Sequence, residues 1–220
     1  MKAMVLAAGR GERMGDLTAV RPKPLLEVGG VPLIEHHVRR LAASGVVELV
    51  INLSYRGTQI RAWLGDGQRF GVSIAYSEEG EPPLETGGGI VQALPLLGHE
   101  PFLIVNSDIY TEFDFATLVG GPRVPALVLV PNPPHNPNGD FGIDGAGRVS
   151  AAAPLRTYAG VAVFTPQMFA GLALGRRKLK PLLDAAIGRR ELEAVAFDGV
   201  WLDVGTPERL EQARRAAARR

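Results

Sequence analysis

Residues 4–25, MVLAAGRGERMGDLTAVRPKPL, join a short apolar run to a loop carrying glycine and arginine, and then to a lysine between two prolines. The run at 4–8 is long enough for a buried strand. Gly9 and Gly11 let the backbone turn with its N–H groups pointing inward, which suits an anion. Arg13 adds a planar fork that can grip phosphate oxygens at two points. Lys23 adds a compact charge on a backbone stiffened by Pro22 and Pro24. The stretch therefore reads as a triphosphate holder at the end of the first strand of an α/β sheet.

Two other glycine-loop chemistries fail on spacing. The nucleoside-triphosphatase loop needs Lys-Ser or Lys-Thr after its last glycine, and Gly11 is followed by Glu12-Arg13-Met14. The dinucleotide fingerprint would place its third glycine at Met14, one residue before Gly15. What remains is G-x-G-x-R followed by P-K-P. In this the chain resembles the sugar nucleotidyltransferases, whose opening motif is L-x-x-G-x-G-x-R with a later P-K-P segment.

Strand-like runs recur at 46–53, 72–76, 102–106, 126–130, 160–164 and 194–197, and helical patterns fall at 31–43, 59–64, 88–94, 181–187 and 207–218. This alternation predicts an α/β fold with a doubly wound, mainly parallel, Rossmann-like sheet. Ligands in such sheets lie outside the carboxyl ends of the strands. Residues 131–154, PNPPHNPNGDFGIDGAGRVSAAAP, differ in texture and read as a loop and small hairpin inserted into one domain spanning 1–220.

Lysine plus arginine total 24 against 23 acidic residues, so the balance gives no reason to invoke nucleic acid. The basic stretch 214–220 reads as a solvated helix end. With no cysteine there is no disulfide, thiolate metal site or cysteine nucleophile, which suits a cytoplasmic protein. The apolar start is too short for a signal peptide and runs into Arg10, Glu12 and Arg13, and no apolar run approaches the ~20 residues of a membrane span. A monomer or small homo-oligomer is expected.

Two further segments carry chemistry. FLIVNSDIY, 102–110, ends an apolar strand in Asn106-Ser107-Asp108, and VWLDVGTP, 200–207, brings Asp203 to a late strand end before a helix start at Thr206-Pro207. Asp108 and Asp203 suit a hard cation such as Mg²⁺, which takes one or two carboxylates together with phosphate oxygens and water. Each also has a plain reading as a turn cap or helix-start residue. The resemblance implies the metal role, because the family's metal-binding aspartates occupy G-D and W-x-D-V-G-T-P segments. Ser107 stands where glycine is usual.

The resemblance also implies that Leu6, Ala8, Gly9, Gly11, Arg13, Lys23, Glu78, Glu85, Gly87 and Gly88 contact the nucleotide, with Arg13 and Lys23 assisting the reaction. The plain reading of the glycines is close helix packing. Asn106, Asp140 and Gly160 are expected on the sugar side. Residues 77–90, SEEGEPPLETGGGI, look particularly like the bacterial N-acetylmuramate 1-phosphate uridylyltransferases of cell-wall recycling. That likeness implies UTP and N-acetylmuramic acid 1-phosphate as substrates. The Glu-Lys-Pro segment by which hexose-1-phosphate members hold the sugar phosphate is replaced by Ala152-Ala153-Pro154, so Lys180 or the metal is expected to hold it instead. Arg156 is a candidate partner for the lactyl carboxylate. The longer members' carboxyl-terminal repeat domain is not expected here.

Two alternatives stay open. One is a mannose- or glucose-1-phosphate nucleotidyltransferase. The other is a nucleotide-sugar-dependent glycosyltransferase, against which Asp108-Ile109-Tyr110 lacks the second aspartate of D-x-D.

Overall fold

A computed structural model describes residues 1–121 and 125–219 of the protein. The chain begins with β1 (Lys2–Leu6) and passes through the glycine loop into the short helix α1 (Leu17–Val20), then through a small hairpin of β2 (Glu27–Val28) and β3 (Val31–Pro32). Next come α2 (Leu33–Ala43), β4 (Glu48–Leu53), α3 (Gly57–Leu64), β5 (Ser73–Glu78) and α4 (Glu85–Leu97). β6 (Phe102–Asn106), β7 (Ile109–Thr111), α5 (Ala116–Val119) and β8 (Ala126–Val130) follow. The inserted segment supplies the hairpin strands β9 (Phe141–Ile143) and β10 (Val149–Ser150). The chain closes with β11 (Leu155–Phe164), α6 (Lys180–Gly188), β12 (Glu193–Ala196), β13 (Trp201–Asp203) and α7 (Pro207–Ala217).

The main sheet has nine strands: seven follow the path β10-β9-β11-β6-β1-β4-β5, β8 also pairs with β11, and β12 pairs with β8. Its amino-terminal half is parallel, with Val5 of β1 opposite Ile51 of β4 and Val105 of β6. β11 runs antiparallel to β6, β8 and β9. β1 ends before the expected limit of its run, because the N–H of Ala7 is taken by the side-chain oxygen of Asn52 at 2.8 Å instead of a ladder carbonyl.

Period-2 side chains divide the core between the two faces of this sheet. Val5, Ile51 and Val105 face α2 and α3, packing with Ile34, Val38 and Ile60. Met4, Val50 and Ile104 face the other way, against Ile90 and Val91 of α4 and Leu183 of α6. A third cluster joins Tyr110 and Val204 to Leu33, Leu210 and Ala213, seating α7 over the β7–β13 ladder. That ladder is three residues long on each side and too short to give a periodic signal. The basic stretch near the carboxyl end closes α7, where Arg214 donates to the carbonyl of Glu27 at 3.0 Å; Arg220 lies outside the described residues. Trp63 is 40% exposed and donates its indole N–H to Glu35. Among the described residues no helix is long and apolar enough to cross a membrane.

Candidate active site

The loop after β1 is closed by a hydroxyl, as Thr18 donates to the carbonyls of Gly11 and Gly15 at 3.2 and 3.1 Å. Gly11 has φ +68, and a Cβ there would stand 3.0 Å from the Cβ of Lys23. Glycine is thus required twice, by the backbone conformation and by the lysine stem packed against it. Lys23 opens a 3-10 turn after Pro22 and is only 6% exposed. Its ammonium ion lies 2.7 Å from Oδ2 of Asp108. Arg13 stays exposed at the mouth of the site.

Asp108 follows β6, and its turn is tied to β1 by Ser107, whose hydroxyl and N–H both donate to the carbonyl of Leu6, at 2.6 and 3.1 Å. Serine at this position therefore adds an anchor to the turn. Asp203 arrives through the antiparallel β7–β13 ladder, which sets it opposite Ile109. The next residue, Val204, donates its N–H to the carbonyl of Asp108 at 2.8 Å. Asp203 Oδ2 lies 2.6 Å from Nη1 of Arg209 and 3.2 Å from Nε2 of His135. The two aspartates are brought together, each with a basic partner. Among the described residues no group of three or more His, Cys, Asp or Glu assembles. Two carboxylates beside a glycine loop have the donor set that suits a hard cation completing its coordination from phosphate and water.

A cavity of about 870 Å³ opens in front of the loop. Leu6, Ala8, Gly9 and Gly11 line it on one side, with Arg13 and Lys23, and Glu85 lies on another wall. Glu78 is placed elsewhere, on the surface with Arg61. Its neighbour Glu79 lines the cavity, receiving the amide of Asn52 at 2.5 Å and the N–H of Leu84 at 2.8 Å. Asn52, 4% exposed, thus ties the first strand to the 79–84 loop. Its signal was a lone amide in an apolar strand, which the sequence reading passed over. Gly87 and Gly88 lie inside α4 and do not line this cavity; they face the backbone of residues 175–178.

A second cavity of about 320 Å³ adjoins the first, and Arg13, Asn106 and Asp108 line both. Asp140 and Gly160 line it, as does His135, which the sequence reading missed. A bulge in β11 shapes its floor. Asp140 accepts the N–H of Tyr158 at 2.8 Å, and Trp201 donates to the carbonyl of Ala159 at 2.9 Å. Gly160 has φ +72, and a Cβ there would lie 2.6 Å from the Asn106 amide nitrogen. The insertion is pinned here by polar contacts, with Asn136 donating to Thr157 and Thr157 to Asn132.

Two expectations for this side need correction. Lys180 is drawn to Asp184 at 2.5 Å and lies over the Phe141 ring, since the i,i+4 spacing on α6 satisfies it locally. Arg156 pairs with Asp198. Neither lines either of these two cavities.

A Rossmann-like sheet with a glycine loop, a lysine and two aspartates at its strand ends defines a nucleotide-handling transferase. The nucleotidyl transferase family matches residues 2–220, and the chain belongs to it. It is 48% identical over 228 residues to the N-acetylmuramate alpha-1-phosphate uridylyltransferase of Neisseria meningitidis serogroup B, covering 99% of this chain and 98% of that one. The protein of the same name from Caulobacter vibrioides is 36% identical over 224 residues, covering 94% and 92%. A crystal structure described as a putative glucose-1-phosphate thymidylyltransferase from Bacillus anthracis superposes with a TM-score of 0.88 over 99% of this chain and 95% of that one. At 21% identity that likeness speaks to the fold.

Proposed function

We propose that the protein transfers a uridylyl group from UTP to N-acetylmuramic acid α-1-phosphate, giving the UDP-sugar and pyrophosphate, in the cytoplasm and in the service of peptidoglycan recycling. The observation that carries this reading is the junction of two cavities, about 870 and 320 Å³, at Arg13, Asn106 and Asp108. Such a pair accommodates a nucleotide and a sugar phosphate with their phosphates meeting at charged groups. The near full-length likeness to uridylyltransferases of that name supports the choice of base and sugar.

In this reaction an oxygen of the sugar phosphate attacks the α-phosphorus in line. The bond from that phosphorus to the bridging oxygen breaks, and its electron pair leaves with pyrophosphate. The attacking phosphate is already ionised, so no general base is needed and catalysis is positioning and charge neutralisation. Lys23, fixed by burial, offsets charge around the α-phosphate, and Arg13 holds the departing pyrophosphate. Backbone N–H groups of the Gly9–Gly11 turn donate to phosphate oxygens. Asp108 and Asp203 would hold Mg²⁺, which when bound supplies Lewis-acid stabilisation of phosphoryl charge. Asp140 shapes the sugar floor through Tyr158, and Asn106 faces both substrates.

The test is pyrophosphate release from four nucleoside triphosphates against the N-acetylmuramic acid, N-acetylglucosamine, glucose and mannose 1-phosphates. UTP with the muramic substrate is expected to give the highest kcat/KM. A preference of about tenfold or more for glucose or mannose 1-phosphate, the scale of a single pocket contact, would overturn the sugar assignment.

A further inference from the structure

The glycines of α4 do more than shorten a side chain. A Cβ on Gly87 would stand 2.9 Å from the carbonyl oxygens of both Arg177 and Lys178, and one on Gly88 would collide with the carbonyl of Gly175. Two backbone hydrogen bonds seal this contact: Gly88 N–H to the carbonyl of Arg177 at 3.0 Å, and Arg177 N–H to the carbonyl of Leu84 at 2.9 Å. The bare face of the helix thus seats a segment some ninety residues later in the chain. Seating it carries Arg176 to the wall of the large cavity. There its guanidinium lies 2.8 Å from the carboxylate of Glu85.

Glu85 itself has φ +62, a conformation that residues with a side chain rarely adopt. Such strain persists where surrounding contacts impose it, and it collects at ligand clamps. Here the same contacts that seat residues 175–178 fix the turn entering α4. The pair remains accessible, with side chains 32% and 65% exposed for Glu85 and Arg176. Pro82 and Pro83 line the same cavity and offer flat apolar surface to a ring. A carboxylate on this wall disfavours phosphate, and the phosphate contacts are assigned to the loop, Arg13 and Lys23.

We propose that Arg176, delivered by the glycine face of α4, acts with Glu85 as the specificity-determining pair that reads the pyrimidine edge. Glu85 accepts the N3–H of uracil while Arg176 donates to O4. Cytosine presents a lone pair at N3 and an amino group at C4, so both contacts turn unfavourable. The inference rests on the reading that UTP is the nucleotide substrate.

The experiment compares kcat/KM for UTP, dTTP and CTP, at saturating sugar phosphate, in the wild type and in Arg176→Ala, Arg176→Lys, Glu85→Gln and the Arg176→Ala/Glu85→Gln double variant. Arg176→Ala and Glu85→Gln are each expected to lower the UTP-to-CTP ratio roughly ten- to a hundredfold, the scale of a hydrogen bond to a charged group. Arg176→Lys should recover part of that ratio, the double variant should lose less than the product of the single losses, and the KM for the sugar phosphate should not change. An equal loss for UTP and CTP would mean a phosphate grip or a merely structural seat and would overturn the pair while leaving the UTP reading intact. A wild-type preference for dTTP would break the UTP reading and leave edge reading intact, because thymine offers the same N3–H and O4. Equal use of UTP and CTP by the wild type would overturn both.

Discussion

The backbone N–H of Val204 donates to the carbonyl of Asp108 at 2.8 Å, so the two candidate metal ligands of this transferase are spaced by a main-chain hydrogen bond. Residues nearly a hundred positions apart in sequence are thereby held in one register. Side-chain substitution leaves that spacing unchanged, which makes the pair suited to mutational dissection.

Asp108→Asn and Asp203→Asn are each expected to remove most turnover, and the double variant should lose little more than either single one. Residues that act as a unit are grossly non-additive. The amide at 108 keeps a partner for Lys23, whereas Asp108→Ala would strand a lysine that is 6% exposed and lower stability as well. Pyrophosphate release and Mn²⁺ binding would be measured together. Near-normal, EDTA-resistant turnover in either variant would remove the metal assignment.

Lys23→Ala should lower kcat by on the order of 10² to 10³, the scale for removing one preorganised charge from a transition state. Lys23→Arg should rescue poorly. The lysine stem is confined beneath Gly11, where even a Cβ would sit 3.0 Å from it, and a guanidinium is bulkier. Single-turnover rates would separate this from a binding defect, and full activity in Lys23→Arg would show that a diffuse positive charge suffices.

Gly160→Ala is expected to cost about 2 kcal/mol, because a side chain is imposed at positive φ and against the Asn106 amide. The change should also raise the KM for the sugar phosphate by displacing Asn106. Gly188→Ala is the control: apart from its chain neighbours and the backbone of its own helix, nothing lies within 4 Å of the added Cβ, and stability should change little. Urea denaturation of both variants checks the contrast.

Stability should fall with acid in a window set by His37. Burial is the main cause that depresses its pKa from 6.5 to about 4, while its Nε2 lies 2.9 Å from the carbonyl of Ile109. The unfolded state binds the proton more readily, so this contribution is fully present above pH 6.5 and is lost as pH falls towards 4. Converted at the cited 1.36 kcal/mol per pKa unit, the loss approaches ~3 kcal/mol. His37→Gln, which keeps a donor for Ile109, should flatten the slope between those limits. An unchanged slope in urea titrations would assign the acid sensitivity to other groups.

The sequence by itself determined the parallel half of the sheet, the loop at Gly9 to Arg13 and the places of Lys23, Asp108 and Asp203. These signals are local: an apolar run of strand length, glycines at its end, a carboxylate at a strand tip. Period-2 burial then obliges Val5, Ile51 and Val105 to share one face whatever else the chain does. Tertiary structure alone decided which polar groups meet. Arg156 carries the right charge for a carboxylate, yet Asp198, 42 residues further along the chain, takes it. Asn52 finds Ala7 and Glu79, His135 and Arg209 find Asp203, and Gly87 and Gly88 find residues 175–178. Each of these contacts joins chain segments whose separation is set by sheet order and packing, and a hydrogen bond of about 3 Å leaves no trace in the spacing of residues along the sequence.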